Sequence, residues 1–166
     1  MFTGPQIVSL LTELGITHVV TIPDSTLGQW EDDIRAAAAI SYLGVCREGE
    51  AWAVAAGLYL GGARPLVMIQ CTGLFESGDS LRNALFDYQL PLFAMIGYRS
   101  FLSQATLPGD TCLAFTEPVL DAWGLDWVLY DRPEDLPGQL EAIAGQYHRC
   151  QEAGVPGVAL VAEGRA

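Results

Sequence analysis

The segment Cys46-Arg47-Glu48-Gly49-Glu50-Ala51 sets two carboxylates at the end of an apolar run, residues 40–45. The small-residue stretch Ala51-Trp52-Ala53-Val54-Ala55-Ala56-Gly57 follows directly and reads as a tightly packed helix. Open α/β sheets bind their ligands at this kind of place, beyond the carboxyl end of a strand and ahead of a helix. An acid held there against apolar neighbours loses hydration, which disfavours its charged form and lets it exchange a proton near neutrality. A plainer reading makes Glu48 and Glu50 first-turn acids favoured by the helix dipole, with Arg47 a surface neighbour. On spacing alone the plainer reading comes first.

Other stretches offer chemistry at similar places. Pro23-Asp24-Ser25 follows the apolar run 17–22 and can present the Ser25 hydroxyl, or simply cap a helix. Thr72-Gly73-Leu74-Phe75-Glu76-Ser77-Gly78 has the glycine content of a phosphate loop. It lacks the G-x-G-x-x-G spacing and a lysine, and Glu76 would repel a phosphate, so a nucleotide loop is excluded. There is no G-x-S-x-G nucleophile elbow. Arg99 can grip a substrate carboxylate as a fork or serve in a structural ion pair. His18 and His148 have no second ligand at metal spacing, so no metal site is expected from this chain. Trp52, Trp123, Trp127, Tyr59 and Phe86 sit among apolar positions and read as packing.

The elements that position these residues follow from the hydrophobic pattern. Residues 17–22, 40–45, 65–71, 92–97, 126–130 and 158–162 read as short buried strands. Helices are expected over 5–14, 26–38, 48–60, 111–123 and 133–152, with Pro118 marking a break in the fourth. Residues 72–80 read as a loop leading into a helix that ends near residue 88, and 98–110 as a long connection. Strands alternating with helices specify an α/β fold. The expectation is a single domain over residues 1–166, with a six-stranded parallel sheet and helices on both faces. The loops carrying Ser25, Glu48 and Thr72 would then leave the same edge.

Composition bounds the partners. A chain of 166 residues suffices for one domain with a full core. Net charge is −12, and the eight basic residues are all arginine. No basic patch is available for nucleic acid, an acidic chain suits anionic membranes poorly, and no apolar run reaches the roughly 18 residues of a spanning helix. Only 17% of residues are charged, which points to surface covered by a permanent partner. The four cysteines share no C-x-x-C spacing and read as reduced. With no charged leader at Met1-Phe2-Thr3, the cytoplasm is the expected compartment.

Taken in order, five stretches together resemble one family. They are Ile22-Pro23-Asp24-Ser25-Thr26-Leu27, Arg47-Glu48-Gly49-Glu50-Ala51, Ala55-Ala56-Gly57, Ile69-Gln70 through Thr72-Gly73-Leu74, and Pro91-Leu92 through Ile96-Gly97-Tyr98-Arg99. The chain resembles the pyrimidine-binding domain of thiamine-diphosphate enzymes, and within them the sulfopyruvate and phosphonopyruvate decarboxylases. The resemblance implies that Glu48, nine residues before Gly57, is the glutamate that hydrogen-bonds the cofactor's aminopyrimidine. That contact promotes the imino tautomer, which takes the proton from the thiazolium carbon. The ylide attacks the 2-oxo group, and carbon dioxide leaves as the thiazolium accepts the electron pair. The resemblance also places Ser25 near the substrate and Thr72 and Gly73 near the cofactor, while Arg99 is a substrate candidate on its own fork chemistry.

Family members also carry a second domain that holds the diphosphate through Mg2+ with a Gly-Asp-Gly motif, which this sequence lacks. The resemblance therefore implies an α subunit that shares thiamine diphosphate with a diphosphate-binding β subunit. Where the family has Gly-Leu-Gly-Asn, this chain has Gly73-Leu74-Phe75-Glu76. A sulfonate or phosphonate tail would need cations, for which Arg47 and Arg99 are the candidates, and a less charged 2-oxo acid would not. Two other functions remain open: a carboligase subunit of the acetolactate or benzoin type, and a non-catalytic partner that stabilises the β subunit.

Overall fold

Apolar runs bounded by glycine and proline form six strands: β1 (His18–Thr21), β2 (Ser41–Gly44), β3 (Pro65–Gln70), β4 (Phe93–Tyr98), β5 (Asp126–Tyr130) and β6 (Gly157–Ala162). The structure is a computed structural model and describes residues 2–24, 27–106 and 109–163. Every strand pair is parallel, in the order β2-β1-β3-β4-β6-β5. Helix α1 (Gly4–Glu13) precedes β1, and the crossovers that parallel neighbours require are supplied by α2 (Glu31–Ala36), α3 (Glu48–Leu60), α4 (Cys71–Glu76), α5 (Gly78–Arg82), α6 (Cys112–Ala122) and α7 (Leu136–Ala153). The expected α/β architecture is the observed one.

Alternation along the strands divides the core into two layers. Val20, Val67, Ile69, Ala94 and Ile96 pack with Ala51, Trp52 and Ala55 of α3, Leu74 of α4, Leu81 of α5 and Leu120 of α6. Val19, Leu66, Met68, Phe93 and Met95 pack with Leu11 of α1, Ile34 of α2 and Ile143 of α7. β4 and β6 are buried along their whole length, as strands covered on both faces must be. The edge strand β2 is only partly covered. The chain leaves β1 toward one edge and β3 toward the other, so the sheet's switch point lies between them. Ligands of such sheets bind beyond the carboxyl ends at that point.

Three local expectations are corrected. Residues 72–80 are not a loop. The chain turns from β3 straight into α4, kinks at Ser77 and continues as α5 and a π-helical turn, Asn83–Asp87. Cys71 and Leu74 are buried in that turn, and the Ser77 hydroxyl donates to the carbonyls of Gly73 and Leu74. Tertiary burial outweighs the poor helix propensity of Gly73 and Gly78. Pro118 does not break α6. The carbonyl it deprives of a donor belongs to Ala114, which is exposed and can be hydrated, while Cys112, Thr116 and Leu120 anchor the buried face. The helix expected over 26–38 is shorter, a 3-10 turn Leu27–Trp30 followed by α2.

Candidate active site

The carboxyl end of β2 leads through Val45 and Cys46 to Arg47, the extended N-cap of α3 (φ −145°, ψ 148°). Helix α3 then starts at Glu48, and its first amide groups need acceptors from outside the helix. Glu76, at the end of α4, provides one: its Oε2 accepts the Gly49 N–H at 2.8 Å. The Arg47 guanidinium closes on the other oxygen of Glu76, with Nε 2.8 Å from Oε1. The Gly49 amide, and next the Arg47 guanidinium, hold the Glu76 carboxyl below its ordinary range. The acid that argued against a phosphate loop therefore clamps α4 to the start of α3.

The two acids of the opening motif separate. Glu50 is exposed and turns back, with Oε2 accepting the Cys46 N–H at 2.9 Å, so it is a helix-turn acid. Glu48 is half-buried and crosses to α4, where its side chain lies over Gly73. A β carbon on Gly73 would stand 2.3 Å from Glu48 Cγ and 2.8 Å from Oε1, so only glycine fits beneath the acid. Among the described residues the Glu48 carboxylate has no hydrogen-bond or ion-pair partner. Glu48, Thr72 and Gly73, selected separately from the sequence, thus share one rim.

Thr72 is exposed, and its hydroxyl donates to Gln70 Oε1 at 3.3 Å. Arg99 follows β4, and its Nε lies 3.0 Å from Asp110 Oδ2. Asp110 also accepts the Ser100 hydroxyl at 2.7 Å and the Cys112 N–H at 3.0 Å. The Ser100 hydroxyl is the leading cause of the lowered Asp110 carboxyl. The structural ion pair weighed for Arg99 is therefore present. Ser25 lies outside the described residues, whereas its neighbour Asp24 caps the next turn by accepting the Leu27 N–H at 2.8 Å. Sequence reasoning missed the anchoring roles of Glu76 and Asp110. The signal for Glu76 was the departure from the family's asparagine, and nothing local pairs Asp110 with Arg99.

Two thiols border the site without joining its chemistry. Burial raises the Cys71 thiol and pushes Cys112 up to about 12, so both stay protonated at neutral pH. Among the described residues no group of three or more His, Cys, Asp or Glu side chains is placed to hold a metal ion. No helix among them is long and apolar enough to cross a membrane.

The chain is similar to known decarboxylases over most of its length. No protein-family model matches the chain. It is 29% identical to phosphonopyruvate decarboxylase of Streptomyces hygroscopicus over 154 residues, which is 92% of this chain and 37% of that one. It is 24% identical to sulfopyruvate decarboxylase subunit alpha of Methanococcus maripaludis over 104 residues, 63% of this chain and 62% of that one. The fold superposes on benzoylformate decarboxylase from Polynucleobacter necessarius with a TM-score of 0.67 and 25% identity, over 98% of this chain and 30% of that one. It also superposes on a thiamine diphosphate-dependent 4-hydroxybenzoylformate decarboxylase of Rhodococcus jostii, with a TM-score of 0.68 and 19% identity, over 99% of this chain and 32% of that one. The chain spans about a third of the length of the phosphonopyruvate decarboxylase it matches. The resemblance read from the sequence is thus found in curated relatives and in solved folds.

Proposed function

We propose that this chain is the pyrimidine-binding subunit of a thiamine-diphosphate-dependent 2-oxo acid decarboxylase of the sulfopyruvate and phosphonopyruvate type. Residues 1–166 act as one domain, and a β subunit holds the diphosphate through Mg2+. The observation that carries this reading is Glu48, a half-buried carboxylate over Gly73 with no described partner. Such a carboxylate fits a heteroaromatic ring nitrogen: it can accept an N–H or hold the proton itself. Gly73 leaves room for the Glu48 side chain to lie across α4, and Thr72 offers a hydroxyl on the same rim. When bound, the cofactor supplies the electron sink for the bond that breaks on loss of carbon dioxide.

The substrate end of the reading assigns Ser25 and Arg99 to the 2-oxo acid carboxylate. Arg47 is held by Glu76 and Arg99 by Asp110, which supports a tail less charged than a sulfonate or phosphonate. A partner subunit is supported by the similarity to an alpha subunit and by the exposed side chains of Phe75, Phe86, Tyr88 and Phe115 on one layer of helices. All four cysteines are free, which suits the reducing cytoplasm.

The test is Glu48→Gln in the assembled enzyme. Turnover of the 2-oxo acid is expected to fall by about a hundredfold or more, with the subunits still associating on a sizing column. Near-normal turnover in that variant sinks the assignment. Adding an aldehyde acceptor separates decarboxylation from carboligation, because only a carboligase returns a ligated product.

A further inference from the structure

The last strand ends in an acid that the proposed chemistry does not use. Glu163 follows β6 and is only 2% exposed. Its carboxylate lies over the backbone of β4: a β carbon on Gly97 would stand 1.8 Å from Oε1 and 2.6 Å from Cδ. Burying a carboxylate is costly unless polar groups hold it, and a hydrophobic residue would serve the core better. Here a glycine in a central strand makes room for it. Glu163 Oε2 accepts from Gln70 Nε2 at 3.4 Å, and Gln70 Oε1 accepts the Thr72 hydroxyl at 3.3 Å. Main-chain bonds fix the acid on both sides, with its N–H on the Tyr98 carbonyl and its carbonyl on the Leu102 N–H. The chain of contacts thus runs from β6 across the end of β3 to the threonine beside Gly73.

We propose that Glu163 is a positioning residue of the active site, acting through Gln70 on the Thr72 hydroxyl. A glutamine side chain at a strand end has several rotamers and can present its amide either way. An acceptor-only carboxylate at Nε2 selects the orientation that turns Oε1 toward Thr72. The hydroxyl is then aimed by a buried carboxyl group rather than left to solvent. This role rests on the decarboxylase reading for its catalytic consequence but not for its geometry.

The test has two arms. In the 15N-labelled full-length chain, Glu163→Gln and Glu163→Ala shift the Gln70 side-chain amide resonances, identified by their loss in Gln70→Leu. Unmoved resonances overturn the proposal. In the assembled enzyme, Glu163→Ala and Thr72→Val each lower kcat about tenfold, the scale of a small misplacement at a reacting centre. The double variant falls no further than either single variant, and Glu163→Gln, which keeps an acceptor, recovers most of the loss. Additive losses, or a lower melting temperature with kcat unchanged, overturn the proposal. The amide arm needs no turnover. It decides the positioning claim even where Glu48→Gln stays active and the decarboxylase reading falls.

Discussion

The Glu48 side chain crosses from the first turn of α3 to lie against the α carbon of Gly73 in α4, with space beneath it for a hydrogen and nothing larger. The two residues come from different strand ends, and parallel pairing of β2 and β3 to β1 brings those ends together. The acid's position is therefore a property of the sheet order, and Gly73 is its steric floor. Gly73→Ala would put a methyl 2.3 Å from Glu48 Cγ and force the carboxylate outward. The expected result is a loss of about a hundredfold in kcat, the scale of an ångström's misplacement. The overpacking itself costs about 1–3 kcal/mol, so the domain stays folded. Steady-state kinetics alongside a thermal melt check both halves. A variant with full activity would show that the acid does not need that floor.

The clamp formed by Glu76 makes part of the fold acid-sensitive. The Gly49 amide and the Arg47 guanidinium hold the Glu76 carboxyl below its ordinary value in the folded state. A depressed carboxyl adds stability that is complete above its unfolded pKa of about 4.3, and that stability is lost as pH falls through the folded value. Glu76→Gln removes that contribution. Wild type is expected to melt above the variant at pH 7, and the gap should close as pH falls below the lowered folded value of Glu76. An equal gap at both ends of that range would mean that packing, rather than charge, sets the difference.

The sheet was legible because its signals are strong: continuous apolar runs such as residues 65–70 and 92–97 have no other stable home than a covered strand. Glu48 stood out for the same reason, as an acid directly after such a run. What hid the rest was tertiary. Residues 72–80 carry loop composition, and only the burial of Cys71 and Leu74 and the reach of Glu76 to Gly49 make them helical. Arg99 finds Asp110 eleven residues on, across a connection with no periodicity to predict it. Glu163 carried the same signal as Glu48, an acid at the end of an apolar run. Nothing in the sequence says that Gly97 is its seat.

The thiols give a check on the burial pattern that needs no substrate. Cys71, Cys112 and Cys150 are buried, with Cys112 pushed up to about 12 and Cys150 to about 11, while Cys46 is exposed. A chromogenic disulfide reagent at pH 8 is expected to titrate one thiol of the native protein rapidly and four after denaturation. Desolvation keeps the buried thiols both inaccessible and protonated. Rapid reaction of more than one native thiol would show that at least one of Cys71, Cys112 and Cys150 is not shielded as described.

Glu48 and Glu50 stand two residues apart, and their contacts differ. Glu50 accepts the Cys46 N–H, and among the described residues its side chain has no hydrogen bond to α4. Its loss leaves one amide to water, a capping defect of about 1 kcal/mol, and does not move the acid that faces the rim. The Glu48 side chain supplies no hydrogen bond to the fold among the described residues, so under the proposed function its loss removes chemistry rather than stability. Glu50→Ala is therefore expected to lower the melting temperature by a few degrees with turnover within about twofold of wild type. Glu48→Ala is expected to melt at or above the wild-type temperature and to turn over at least about a hundredfold more slowly. Calorimetry and kinetics on the same two preparations separate the cases. If both acids lost activity together, the first turn of α3 would be acting as a unit and the choice of Glu48 alone would fail.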